Sequence, residues 1–316
     1  MKRIRLLVIL AVVCAAIAVP CVIFFIRSPV LIVTDVPFAA LYGKTHLRRQ
    51  QLSASLALFR RVKPVLVADG AGSDVVNFAI QKAASQPFCV LFAYNQIAAA
   101  LFFHEQLPKT PVVLISGLVS VPEIPSPDGF LCVYGVDRPV DLYRAGLFAG
   151  ILGNVPQKQP QKTKNKDKSA AVSPETTSKT YVLWQDRYVK VAERELFSRG
   201  IREHDPESVI IFANSSAEIP DKEISCIVLT GAGAEHLGKN PQMPLILFSW
   251  MDPAFTAQEV AVLFDDSAWA VVVPAVRMAA QKQAEGKIPS KPLIFSTKIA
   301  DNSIFRMLRK SAKKMP

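Results

Sequence analysis

Histidine and cysteine are both scarce in this chain, and neither occurs in a pattern that does chemistry. The four histidines, His46, His104, His204 and His236, are scattered without metal-ligand spacing. Of the five cysteines, Cys14 and Cys21 fall in an N-terminal apolar run. The other three, Cys89, Cys132 and Cys226, are an odd and widely spaced set that is no disulfide framework. Each lies inside a strand-like apolar run and reads as a small buried hydrophobe. No Gly-x-Ser-x-Gly elbow occurs. The segment Gly233-Ala234-Glu235-His236-Leu237-Gly238-Lys239-Asn240 matches a phosphate loop up to its last place, where Asn240 stands instead of Ser or Thr. Pro241 and Pro244 then forbid the helix that would present its N–H groups to a phosphate. The adjacent carboxylates Asp265 and Asp266 point in different directions and read as a solvated turn. Neither enzymatic activity nor a cofactor or metal is expected.

Charge is missing altogether from Leu6 to Ile26. At 1.5 Å per residue that run is long enough to cross a hydrocarbon core of roughly 30 Å. Lys2, Arg3 and Arg5 precede it and only Arg27 follows closely, so the positive-inside bias places the N-terminus in the cytoplasm and the body outside; the location expected is the cell inner membrane, with the body on the periplasmic or extracytoplasmic side. Ala16-Ile17-Ala18 has the small-x-small pattern of a signal-peptide cleavage site. Cleavage there, however, would leave Val22-Ile23-Phe24-Phe25-Ile26 exposed at a mature N-terminus, which favours a retained single-pass anchor over residues 1–27. Neither cysteine of the run follows a small residue, as a lipid-attachment site would require. The formal charge of +11 sits mostly in residues 1–29, in the lysine-rich stretch 154–179 and in the basic tail 300–316. Basic residues are not spread over a folded face, so no nucleic-acid partner is expected.

Apolar residues are nearly absent from 154–179, which predicts a disordered insertion. On both sides of it, short apolar runs alternate with segments of helical period. Strands are predicted at 30–36, 65–68, 88–92, 112–116 and 130–134. Helices are predicted at 45–62, where Leu52, Leu56 and Phe59 fall on one face, and at 73–85, 95–106 and 139–152. After the insertion, strands are predicted at 181–184, 209–213, 224–230, 245–249, 270–273 and 293–297, with helices at 187–199 and at 275–285, the latter closed by Gly286. Such alternation has its usual solution in parallel sheets covered by helices. The fold class expected is α/β, with two Rossmann-like lobes behind one N-terminal transmembrane helix.

Several stretches carry a resemblance. The first strand ends in Thr34-Asp35 and runs into a helix. Val136-Asp137-Arg138-Pro139 leads into a helix with internal Gly146 and Gly150. Tyr181-Val182-Leu183-Trp184 precedes Ala192-Glu193-Arg194-Glu195-Leu196-Phe197-Ser198-Arg199-Gly200, and Leu247-Phe248-Ser249-Trp250-Met251-Asp252 is a later strand ending in Asp. In this order and spacing, residues 30–299 resemble the type I periplasmic binding proteins, the fold of bacterial solute receptors and of sugar-responsive repressor sensor domains. The resemblance implies more than one crossover between lobes: lobe one at 28–153 with a return segment near 270–286, and lobe two over the rest of 180–299. It also implies a small-molecule ligand of the sugar or nucleoside class and an ABC permease as partner.

Open α/β sheets hold ligands at the C-terminal ends of their strands. The polar and aromatic residues predicted there are Asp35, Phe38, Tyr94, Asn95, Asp137 and Arg138 in lobe one, and Trp184, Asp186, Asn214, Trp250 and Asp252 in lobe two. Rings would stack on a sugar or base, while carboxylates would accept from its hydroxyls. Two functions stay open: a solute receptor of an uptake system, and an envelope sensing or scaffolding protein that keeps the fold without transport.

Overall fold

The computed structural model describes residues 16, 18–116, 128–153, 179–184, 189–214, 218, 224–229, 244–248, 260–294 and 306–311. The lysine-rich insertion, the phosphate-loop-like segment and most of the Leu6–Ile26 run lie outside the described residues. A helix, α1, covers 18–26. Among the described residues, no helix is long and apolar enough to cross a membrane.

The chain divides into two units, the first built from residues 1–136 and 267–288, the second from 137–266 and 289–316. It therefore passes from one unit to the other three times.

In the first unit the strands are β1 (Val30–Asp35), β2 (Val62–Val67), β3 (Cys89–Ala93), β4 (Val112–Ser116), β5 (Leu131–Val136) and β11 (Glu285–Ile288). They form one sheet in the order β11-β5-β4-β3-β1-β2, parallel throughout. β1 and β3 are apolar on both faces, as strands covered on both sides must be. One face packs against α4 (Ser73–Ala83) and α5 (Ile97–Gln106) through Val76, Ile80, Ala100 and Phe103. The other packs against α2 (Val36–Tyr42), α3 (Lys44–Leu58) and α8 (Ala268–Ala280).

Helix α8 corrects the sequence reading, which places a strand at 270–273 and a later helix closed by Gly286. The β-branched run before Pro274 imitates a strand. Ser267 nevertheless caps a helix by accepting from the Ala270 N–H at 3.3 Å, and Trp269, Val271, Val272, Ala275, Val276 and Ala279 are all buried. A helix buried on most of its surface shows no 3.6-residue polarity, so periodicity misses it. Trp269 Nε1 donates to Thr34 Oγ1 at 3.0 Å, fixing α8 to the end of β1. Gly286 lies within the edge strand β11.

The second unit holds β6 (Thr180–Trp184), β7 (Val209–Ala213), β8 (Ile224–Leu229), β9 (Leu245–Phe248), β10 (Val260–Asp265) and β12 (Lys291–Ile294), in the order β12-β10-β9-β8-β6-β7. Among the described strands of this sheet only β12 is antiparallel to its neighbour. Strand β10 is absent from the sequence reading, and Asp265 and Asp266 are buried instead of forming a solvated turn. Helix α6 (Arg138–Gly153), expected in lobe one, belongs to the second unit, where it packs on α7 (Val191–Arg202). Its buried face, with Leu142, Phe148, Ile151 and Leu152, joins Phe197 and Ile201 in one core.

A final short helix, α9 (306–311), sends Leu308 into that same core with 0% exposure. Leu308 pins this part of the tail to the second unit while Arg306, Met307, Arg309 and Lys310 stay exposed. Leu308→Ala is expected to cost about 3 kcal/mol, read as a lowered urea midpoint for the full chain.

Cys89, Cys132 and Cys226 are all buried, and burial pushes each thiol above its ordinary pKa. They act as packing atoms, and none is poised as a nucleophile.

Candidate functional site

The strand order 2-1-3-4-5 reverses direction between β1 and β3, and the crevice outside the carboxyl ends at such a point is where open α/β sheets take ligands. The first unit has a cleft there of about 350 Å³. Asp35 enters it from the end of β1, Val67 to Ser73 from the loop after β2, and Asn95 and Gln96 from the turn after β3. Each of these loops follows a strand whose interior is locked in the core, so polar side chains accumulate at this rim without disturbing the packing.

Asp35 caps α2, its Oδ1 accepting from the Phe38 N–H at 2.7 Å. Among the described residues its other oxygen has no hydrogen-bond partner, and the side chain is half-buried at the cleft. The loop Asp69-Gly70-Ala71-Gly72-Ser73 turns through Gly70, whose φ of +67° lies in the left-handed region that favours glycine. It delivers the N-terminus of α4, where Gly72 is the N-cap and no side chain caps the free N–H groups. These N–H groups and the Ser73 hydroxyl offer donors, and Asp35 and Asp69 offer acceptors. Gln96 Oε1 is buried and, among the described residues, has no hydrogen-bond partner, an acceptor whose desolvation a ligand hydroxyl would offset.

Two further residues expected in lobe one are engaged elsewhere. Phe38 stacks on Tyr42 at 5.0 Å and packs against the core beneath α2. Arg138 opens α6 and pairs with Glu193 at 3.4 Å, with both side chains largely buried. Glu193 also accepts from the Lys190 N–H at 2.7 Å, so this pair ties the start of α6 to the start of α7. Tyr94 begins a short 3-10 turn, and its side chain lies outside the described residues.

In the second unit the corresponding reversal of strand order falls between β6 and β8. Trp184, at the end of β6, is 2% exposed within the core and presents no ring face there, contrary to expectation. Asn214 is exposed after β7, and its N–H donates to Glu218 at 2.8 Å. Asp137 is half-exposed at the first crossover. Asp186, Trp250 and Asp252 lie outside the described residues.

The residues missed at sequence level are Asp69, Ser73 and Gln96. Glycines two apart between a strand and a helix, at Gly70 and Gly72, are the signal that could have found the first two.

No family model matches this chain, and no curated protein matches it in sequence. Its resemblances are structural. An ABC transporter solute-binding protein from Conexibacter woesei superposes with a TM-score of 0.54 at 11% identity, covering 91% of this chain and 96% of that one. A transcriptional activator of the comK gene from Bacillus halodurans gives 0.50 at 12% identity, with the same coverages. The chain has the type I periplasmic-binding-protein fold, as the order of its strands and the placing of its crossovers require.

Proposed function

We propose that this chain is a membrane-anchored extracytoplasmic receptor whose cleft takes a small polar molecule with a ring, of the sugar or nucleoside class. The observation that carries the reading is the cleft at the β1/β3 reversal, where Asp35, Asp69, Ser73, Asn95 and the unpartnered Gln96 Oε1 converge. Alternating acceptors and donors around such a rim suit a polyhydroxylated ring better than an apolar or a strongly charged ligand. In the same proposal an ABC permease in the same membrane receives the ligand.

Anchoring is supported by α1. Val19, Val22, Ile23, Phe25 and Ile26 are all exposed, and a helix apolar on every side belongs in a core or a bilayer.

The alternative is an envelope sensing or scaffolding protein without a ligand. One observation favours it: two of the aromatic rings expected to stack on a ligand, Phe38 and Trp184, are occupied in packing.

Calorimetric titration of the full chain in detergent against sugars and nucleosides decides between them. A saturable ligand is expected, and Asn95→Ala and Asp69→Ala should each weaken its binding about tenfold, on the scale of a lost hydrogen bond of roughly 1.5 kcal/mol, with melting temperatures unchanged. A broad panel with no saturable ligand, or a ligand whose affinity ignores both variants, would leave the sensing or scaffolding reading.

A further inference from the structure

Five exposed side chains form one stripe along α3 and its C-cap: the adjacent Arg48 and Arg49, then Leu52, Leu56 and Phe59 at steps of three or four residues, on the side opposite the buried Ala54. Leu52 and Leu56 are 63% and 67% exposed. On an ordinary solvated helix these positions would be polar.

The stripe ends at the place where α1 leaves the body. Phe59 has a φ of 48°, a left-handed conformation that a bulky side chain rarely adopts, and its ring meets Phe24 of α1 at 5.9 Å. Arg27 lies over the same ring at 5.3 Å. The connection from α1 to β1 is only Arg27-Ser28-Pro29, and it is held along its length. Arg60 donates to the Ser28 carbonyl at 3.1 Å, the Phe88 N–H donates to the Pro29 carbonyl at 2.8 Å, and the Val30 N–H donates to the Arg61 carbonyl at 2.9 Å. The helix therefore leaves the first unit at a fixed point and not on a loose tether.

We infer that the α3 stripe is a membrane-docking face: the first unit rests with Leu52, Leu56 and Phe59 in the interfacial layer and Arg48, Arg49 and Arg27 among anionic lipid headgroups. The inference rests on the anchor reading, because it is continuity with α1 that specifies lipid as the occupant. A bilayer entered by α1 lies beside Phe59, and an apolar stripe flanked by arginines has the composition of an interfacial helix. Each arginine near an anionic surface adds attraction that falls off within a Debye length. The body would thus be held in one orientation, with the start of β1 toward the lipid.

The full chain, with Cys14→Ser and Cys21→Ser, is reconstituted into phosphatidylethanolamine–phosphatidylglycerol vesicles containing nitroxide lipid. An environment-sensitive fluorophore is attached at Leu56→Cys, or at Phe78→Cys on α4 as an exposed apolar control. The three remaining cysteines are buried. The label at 56 should shift to the blue and be quenched at least twofold by the nitroxide lipid, while the label at 78 is unaffected. Adding Arg48→Glu and Arg49→Glu should reverse the quenching at 56 without altering the circular dichroism spectrum. A label at 56 that behaves like the one at 78 overturns the docking face while leaving the anchor intact. A blue shift at 56 without quenching also overturns it, assigning the stripe to a second copy or another protein. Release of the chain by alkaline carbonate would remove the anchor reading and this inference with it.

Discussion

Replacing Gly200 by valine is expected to abolish cooperative folding of the second unit. Helices α6 and α7 meet backbone to backbone. A Cβ at Gly200 would overlap the Tyr143 carbonyl oxygen and stand 2.8 Å from the Leu147 nitrogen, and one at Gly146 would overlap the Phe197 carbonyl oxygen. At Gly150 it would lie 2.9 Å from the Ile201 oxygen. None of these neighbours is the end of a flexible side chain, so the helices must separate, and separation opens the core that Leu142, Phe148, Phe197 and Ile201 share. Overpacking of a side-chain contact costs about 1–3 kcal/mol, and a backbone clash costs more. A loss of about 4 kcal/mol or more is a large part of the roughly 5–15 kcal/mol that holds a typical domain. Urea titration followed by near-ultraviolet circular dichroism should show no cooperative transition for Gly200→Val and a clearly lowered midpoint for Gly200→Ala. Gly135→Ala, where a Cβ meets nothing within 4 Å, serves as the neutral control. An unchanged midpoint for Gly200→Val would mean that the two helices are not in backbone contact.

The second large effect centres on Asp141, which is fully buried near the start of α6. Its two oxygens accept from the Ser290 N–H at 3.0 and 3.1 Å. Arg144 lies 3.9 Å from the carboxylate and donates to the Ser290 carbonyl at 3.3 Å. Ser290 is the second residue after the chain's last passage into this unit, so the cluster clamps that passage to α6. Asp141→Ala would leave the Arg144 charge and the Ser290 N–H buried without this partner, an expected loss of about 3–5 kcal/mol.

The same carboxylate makes stability depend on pH. Burial pushes its pKa up to about 6 from 3.8, against the hydrogen bonds from Ser290 and the Arg144 charge, while the nearby Asp137 raises it further. A folded-state pKa above the unfolded one means that the folded state binds the proton more tightly. The associated stability is present at acid pH and is lost as pH rises through 6. The wild-type chain should gain about 1.4 kcal/mol at pH 5 relative to pH 7.5 from this group. Asp141→Asn should lack that part of the dependence. Urea titrations of both proteins at the two pH values provide the check, and parallel pH profiles would refute the assignment.

Most strands could be read from the sequence because a doubly covered parallel strand is a bare apolar run, as at Val30–Val33 and Cys89–Phe92. The same property hid α8, whose burial removes the polar face by which a helix is recognised. It also hid β10, whose acidic end reads as solvated until Asp265 is seen to be buried. Pairing order depends on contacts far apart in sequence, so Gly286 reads naturally as a helix stop when its neighbour β5 lies some 150 residues earlier.

At the candidate site, strand-end logic reached Asp35 and Asn95. It went too far at Trp184, Phe38 and Arg138, because an aromatic or charged residue at a strand end serves packing and pairing as readily as ligand contact. The loop at Asp69–Ser73 escaped notice because its contribution comes largely from backbone N–H groups, which a search for distinctive side chains passes over.

The return of residues 267–288 to the first unit bears on how the molecule can be made. During synthesis the chain emerges from its N-terminus, and the first five strands are complete by Val136. The face they present to Trp269, Val271, Val272 and Val276 stays bare until α8 arrives, and the β5 edge stays open until β11 does. For the whole time that the second unit is being delivered, the first is an unfinished sheet with an apolar surface and an unpaired strand, the condition in which chains aggregate. Folding of the first unit must therefore wait for nearly the last tenth of the polypeptide. Rapid closure once residue 288 is free is what shortens this exposed stage.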